Sequence, residues 1–155
     1  FVWLEENPEM FDAVIIDFPD PTNFSLGKLY TTAFYRLLGH HVAENGQIVV
    51  QSTSPLFARQ SFWCIVETLE AAKFVTRPYH VYVPSFGEWG FILAGRKAWE
   101  APEKLPADLK FLTLENLRSL FEFPLDMNRM PAEPNRLNDQ ALVRYYEEDW
   151  KKLTH

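Results

Sequence analysis

Asp17 and Asp20 stand three residues apart in the segment Asp17-Phe18-Pro19-Asp20-Pro21. Two carboxylates at that spacing, on a loop stiffened by prolines, can face one pocket. A pocket of that kind holds an ammonium group. Where it is partly dry, a carboxylate there also accepts the proton that an amine must lose before it acts as a nucleophile. The same two residues can instead cap the next helix or form a turn, since aspartate does both. Spacing alone leaves both readings open.

The remaining polar candidates read as structural. His40-His41 falls near a helix end, where charge–dipole stabilisation or solvation accounts for it. His80 lies inside a strand with no second ligand at a matching spacing, and His155 is terminal, so no metal is expected. Ser52-Thr53-Ser54 has no G-x-S-x-G elbow around it, which argues against a serine hydrolase. Cys64 is the sole cysteine, so no disulfide can form within the chain. Between Trp63 and Ile65 it reads as a small buried hydrophobe, and a reducing compartment suits it. Trp89 either lines a pocket or packs, and both readings stand.

The elements that must position these residues follow from periodicity. Ala13 to Ile16 is a continuous β-branched apolar run, the pattern of a strand buried on both faces. It ends at the two prolines. A helix is expected from about Ser25 to Val42, with Leu29, Tyr30, Ala33, Phe34, Leu37 and Leu38 as its apolar stripe. Glu44-Asn45-Gly46 reads as a turn before a second buried strand, Gln47 to Gln51. Ala58, Phe62, Ile65, Val66, Leu69 and Ala72 mark a second amphipathic helix. Val75–Val83 and Glu88–Gly95 then read as strands of an antiparallel hairpin, because the Pro84–Gly87 link is short. Strand, helix, strand, helix, strand, strand indicates an α/β sheet with an antiparallel edge. Ligands of such sheets sit outside the strands' carboxyl ends, where Asp17 and Asp20, Gln51–Ser54 and the Pro84–Glu88 turn all fall. Beyond Ala98 prolines break the chain, Thr113 is placed to cap a short helix, and Asn138 to cap a last helix carrying Leu142, Val143, Tyr146 and Trp150. That tail is apolar enough to pack on the sheet or on another subunit.

Phe11-Asp12-Ala13-Val14-Ile15-Ile16-Asp17-Phe18-Pro19-Asp20-Pro21 resembles the spermidine synthase signature, a strand ending in D-x-x-D-P. The similarity continues in register. It takes in Leu29-Tyr30, Phe34-Tyr35, Asn45-Gly46 and Val50-Gln51. Val83 to Phe91 resembles the family's P-T-Y-P-S-G-x-x-G-F hairpin. Phe1-Val2-Trp3-Leu4 resembles the helix after its G-D-[AG] element. The resemblance covers about residues 1–95. It implies a partial Rossmann-like sheet of the S-adenosylmethionine-dependent methyltransferase type, with a carboxyl-terminal antiparallel hairpin and a helical tail. Residues 1–98 would be the second half of the catalytic domain, and residues 99–155 the tail packed on it.

By that resemblance the reaction is aminopropyl transfer from decarboxylated S-adenosylmethionine, a cosubstrate and not a permanent cofactor, to putrescine or a similar amine. Asp17 matches the acid that helps deprotonate the amine. Asp20 matches the one that holds it. Phe86 falls at a substrate-contacting tyrosine and Gln51 at a glutamine on the pocket's edge. Pro21 would lie beside the adenine. The family's glycine-rich loop and ribose-binding acid match nothing between Phe1 and His155, so this segment is expected to bind nucleotide poorly and to turn over little by itself. The chain opens on Phe1 and is expected to continue upstream. The resemblance implies a cytoplasmic enzyme, and a membrane tether ahead of Phe1 is compatible with it, as some bacterial relatives with similar tails carry membrane segments there.

Composition narrows the alternatives. The formal net charge of −6 disfavours a nonspecific nucleic-acid binder and suits a cationic ligand. No apolar run nears the ~20 residues of a membrane span. A methyltransferase acting on a small molecule shares the fold class, but an acidic pair suits a cationic acceptor. A non-catalytic relative serving as an interaction module is the third reading. The strand Ala13–Ile16 is expected to present a free edge, which invites pairing with another chain, so a homo-oligomer is expected.

Overall fold

Ile16, Ile48, Val50, Ile92 and Ala94 are buried on one face of a four-stranded sheet. They share that face because Ile16 pairs with Val50, Val50 with Ile92, and Ile48 with Ala94, and directly paired residues point the same way. The strands are β1 (Phe11–Ile16), β2 (Val42–Gln51), β3 (Val75–Val83) and β4 (Gly87–Gly95), in the spatial order β1-β2-β4-β3. β1 and β2 are parallel, while β2–β4 and β3–β4 are antiparallel. The computed structural model describes residues 1–152, so His155 lies outside the described residues.

Helices α3 (Thr32–Gly39) and α4 (Arg59–Ala71) cover the buried face. Tyr35, Leu38, Phe62, Ile65, Val66 and Leu69 close the core between them and the strands. The sequence predicts one helix over 25–42, but the chain forms α2 (Phe24–Gly27), a 3₁₀ turn (Lys28–Tyr30) and α3. The break falls at Thr31, which is extended and whose hydroxyl accepts from Phe34 N at 3.3 Å. A threonine side chain that caps a new start competes with continuing the old helix. The expected turn at Glu44–Gly46 is instead an irregularity within β2, where the register jumps from Phe11–Val42 to Ala13–Gln47. Glycine is required there, because a Cβ on Gly46 would lie 2.9 Å from the Phe11 carbonyl oxygen.

The opposite face differs from the expectation of double burial. Ile15 is 82% exposed, and its partner Val49 and Val49's partner Leu93 are only partly covered. No described element packs over Ile15. Apolar residues on both faces gave the sequence its doubly buried look, and the tail covers this face only towards β3, where Phe121 packs on Tyr79 with ring centroids 5.7 Å apart.

The tail explains why α4 is buried almost all round. Trp63, Cys64 and Thr68 lie outside the stripe expected from periodicity, yet each is buried. Trp63 Nε1 donates to Met127 O at 3.0 Å and Cys64 Sγ to Glu133 O at 3.1 Å. Burial pushes the Cys64 thiol up to about 12. Thr113 caps α5 (Leu114–Ser119), forming a reciprocal capping box with Asn116. Asn138 does not cap the last helix. α6 (Ala141–Lys151) begins after Gln140, which takes a left-handed conformation, and Asp139 Oδ1 receives Ala141 N at 3.3 Å. The nearer acid at a helix start supplies the acceptor and the favourable charge.

Along the outer edge of β3, His80 N donates to Leu120 O at 3.0 Å. Pro78, two residues away, would turn its amide to that same side and has none to offer.

Two buried polar side chains of the tail help to pin it. Asn135 is fully buried; its Nδ2 donates to Gly27 O at 2.9 Å and Tyr30 O at 3.2 Å, and its Oδ1 accepts from Leu142 N at 3.3 Å. Asp149 Oδ2, also buried, accepts from Ser61 N at 3.0 Å and Ser61 Oγ at 2.8 Å, in the first turn of α4. Replacing Asn135 by alanine strands two carbonyls and one amide out of water. Asn135→Ala is therefore expected to lower the unfolding free energy by about 3 kcal/mol in urea denaturation. A change below about 0.5 kcal/mol would show that water or relaxation replaces the hub.

Candidate active site

Side chains alternate along a strand, so Asp17 continues the direction of Ile15 past the end of β1. Gln51, at the end of β2, continues the direction of Val49. The two therefore emerge on the open face, at the same end of two parallel strands. With Phe86, Trp89 and Phe91 they line a cavity of about 410 Å³ floored by Ile15 and Val49. Asp17 is exposed there. Gln51 satisfies both its neighbours with its amide nitrogen donating to Phe18 O at 3.1 Å and its oxygen accepting from Trp89 Nε1 at 2.8 Å. It thereby ties the loop after β1 to β4.

Asp20 lines a second cavity of about 540 Å³ with Phe57, Ser85, Phe86, Trp89, Tyr146 and Trp150. Phe86 and Trp89 belong to both cavities, their ring centroids 5.3 Å apart, and form the wall between them. The acidic pair thus opens onto two adjoining spaces across an aromatic partition. Pro21 is buried and lines neither cavity. The loop between the acids is held from below. Tyr30 Oη donates to Phe18 O at 3.1 Å and Pro19 O at 3.2 Å. Burial raises the Tyr30 hydroxyl well above its ordinary range, and the charges of Asp20 and Asp17 raise it further, so it stays a donor.

Asp20 is the electrostatically loaded member. Burial lifts its carboxyl above the ordinary 3.8, and the hydrogen bond from Tyr146 Oη at 2.8 Å opposes that rise. Its other oxygen, Oδ1, is buried without a partner. Asp20 also lines the second cavity, so a cation held there offsets its charge.

The loop over 52–54 serves structure. Ser52 N donates to Gly90 O at 2.9 Å, Gly90 N to Thr53 O at 2.7 Å, and Ser54 Oγ to Glu88 O at 2.6 Å. A Cβ on Gly90 would strike Phe62 at 2.4 Å. His41 Nδ1 meets Glu9 O at 2.9 Å, and His80 lies between Glu88 Oε2 and Glu122 O, each at 2.8 Å. Among the described residues no three His, Cys, Asp or Glu side chains converge as a metal site. Nor is any described helix long and apolar enough to cross a membrane.

Residues 1–102 match the model of the spermine/spermidine synthase domain. The chain belongs to the spermine/spermidine synthase family. Within it, the chain is 56% identical over 153 residues to a polyamine aminopropyltransferase of Leptospira interrogans, covering 99% of this chain and 31% of that protein. It is 54% identical over 150 residues to polyamine aminopropyltransferase 2 of Ralstonia nicotianae, covering 96% of this chain and 29% of that protein. The chain thus spans under a third of the length of these curated relatives. The crystal structure of spermidine synthase from Thermotoga maritima superposes with a TM-score of 0.64 at 22% identity, over 79% of this chain and 44% of that one. A spermidine synthase in complex with the transition state analogue AdoDATO superposes at 0.67 and 25% identity, over 79% and 45%. The fold is accordingly the family's Rossmann-like α/β sheet.

Sequence reasoning missed Tyr146 and Trp150 as members of the second cavity, taking them as the apolar face of a tail helix. No local signal carries that contact, since Tyr146 and Asp20 are 126 residues apart.

Because the folded Asp20 holds its proton more tightly than the unfolded one, its contribution to stability is full below pH 3.8 and is lost as pH rises through the raised folded value. At pH 7 the charge is a net burden on the fold. Asp20→Asn keeps an acceptor for Tyr146 and removes that burden. Its melting temperature at pH 7 is expected to rise by roughly 2–4 °C, with the gain shrinking towards pH 3. A fall at pH 7 would show that the charge has a compensating partner.

Proposed function

We propose that the protein carrying this segment is a polyamine aminopropyltransferase, moving an aminopropyl group from decarboxylated S-adenosylmethionine to putrescine or a similar amine. The observation that carries the reading is the acidic pair at the strand ends, Asp17 and Asp20, opening onto adjoining cavities across the Phe86–Trp89 wall. A diamine has two nitrogens, and two acidic spaces side by side suit it. Asp20 holds the acceptor amine at one of its nitrogens. Asp17 takes the proton from the one that attacks. The freed lone pair forms a bond to the aminopropyl carbon, the carbon–sulfur bond breaks, and its electron pair neutralises the sulfonium to a thioether. The products are the lengthened polyamine and methylthioadenosine, and the proton leaves through Asp17 to solvent.

Sulfonium is already a good leaving group, so the residues mainly align nitrogen, carbon and sulfur and discharge one proton. Phe86 and Trp89 supply faces for cationic groups. Gln51 steadies the first cavity's rim, and Pro21 stiffens the loop on the nucleotide side. In this reading residues 1–98 are the second half of the catalytic domain and residues 99–155 a tail packed on it. This segment by itself is expected to associate through the free edge of β1, and a homo-oligomer is part of the same reading. A polyamine is the small-molecule partner, with no nucleic acid. The buried thiol of Cys64 suits the cytoplasm.

The test is methylthioadenosine release with both substrates. The polypeptide of its relatives' length should release it, and Asp17→Asn there should lose about 10²–10⁴ in kcat. The 155-residue chain alone should release none above background. Full activity of Asp17→Asn would sink the assignment of the base.

A further inference from the structure

The tail lies mostly beyond the family-matched residues 1–102, yet it supplies part of the second cavity. Tyr146 Oη donates to Asp20 Oδ2 at 2.8 Å across the gap between α6 and the acid loop. That contact is not a loose surface encounter. α6 is fixed on both sides of Tyr146: upstream by Leu142 N on the buried Asn135, downstream by Asp149 on Ser61. Leu142 and Val143 are buried as well, so the helix has little freedom to rotate. The Trp150 ring, one turn on, lies 5.8 Å from that of Tyr146 and lines the same cavity.

The bond is asymmetric in its effect on Asp20. It occupies one carboxylate oxygen and leaves the other, Oδ1, buried and unpartnered. A carboxylate with both oxygens free would rotate about its last bond. One held at Oδ2 presents Oδ1 in a single direction.

We propose that Tyr146 is a positioning residue for the acceptor amine: it locks the Asp20 carboxylate by Oδ2 at the lining of the second cavity, where Asp20 takes the ammonium group. The inference rests on the aminopropyl-transfer reading and extends it to the tail. Tyr146 touches neither the reacting carbon nor the attacking nitrogen; it acts through Asp20. The hydroxyl also favours the ionised carboxylate, the form an ammonium needs, against the burial that disfavours it. The other groups facing Asp20 are Tyr30 from the 3₁₀ turn and, through it, Asp17. Neither donates a hydrogen bond to Asp20.

The test uses this chain, with putrescine as the probe. The Asp20 carboxyl carbon is followed by ¹³C NMR across pH, its resonance identified by its loss in Asp20→Asn. Tyr146→Phe removes only the hydroxyl. The control is Tyr145→Phe, which removes a hydroxyl from the next residue, where it accepts from Glu133 N. Tyr146→Phe is expected to raise the Asp20 midpoint by about one pH unit, as loss of a charge-assisted bond requires, and to weaken putrescine about tenfold at pH 7. Tyr145→Phe should change neither, and both variants should unfold within a few degrees of the parent. A Tyr146→Phe chain that matches Tyr145→Phe in midpoint and in affinity overturns the proposal. A midpoint that moves while putrescine binds no variant, the parent included, supports the lock but overturns the acceptor reading beneath it.

Discussion

β2 is paired in two unlike ways, parallel to β1 on one side and antiparallel to β4 on the other, and the site depends on that asymmetry. Parallel pairing brings the carboxyl ends of β1 and β2 together, which sets Asp17 beside Gln51. Antiparallel pairing brings the start of β4 to the same end, with Gln51 opposite Phe91. Three chain segments distant in sequence thus meet at one rim without any long loop. Gln51 then closes the junction with one amide, donating to the acid loop and accepting from the Trp89 indole. Shifting β2 by one residue against either neighbour would send Gln51 to the helical face and dismantle the rim.

Much of this was legible in the sequence because it is periodic or local. The β-branched run Ala13–Ile16 and the run Ile48–Val50 announce strands, and the short Pro84–Gly87 link announces a hairpin. The D-x-x-D-P segment fixes where the acids emerge, since alternation along β1 carries Ile15's direction to Asp17. The reading failed where a short-range choice competes with another short-range choice. Thr31 can continue a helix or cap a new one, and the Glu44–Gly46 stretch can turn or bulge. Asn138 and Asp139 can each cap α6. These contests are settled by packing. Gly46 stands against the Phe11 carbonyl, and Gln140, in its left-handed form, sets its side chain against Gly27. The second cavity was illegible for another reason. Asp20 and Tyr146 meet only because Asn135 and Asp149 anchor the tail on α4, and no spacing rule spans that distance.

Asp20 shows how a site strains against its own fold. The hydrogen bond from Tyr146 favours its ionised form while burial disfavours it, and one oxygen is left without a partner. A chain built for stability alone would place an amide or an apolar side chain there. The stabilising contacts sit elsewhere, in Asn135, in Asp149 and in the apolar packing around α4. They are near enough to hold the acid loop still, yet none of them neutralises it.

The two borders of the sheet are treated differently. On β3, Pro78 offers no amide and Leu120 already occupies the one from His80, so a further strand finds little to bond. On β1 nothing comparable stands in the way among the described residues, and Ile15 lies bare beside it. The sheet is therefore a template with polarity, finished along one margin and able to extend only from the other. Any strand that joins it must arrive beside β1, and in arriving it also comes alongside the acid-lined rim.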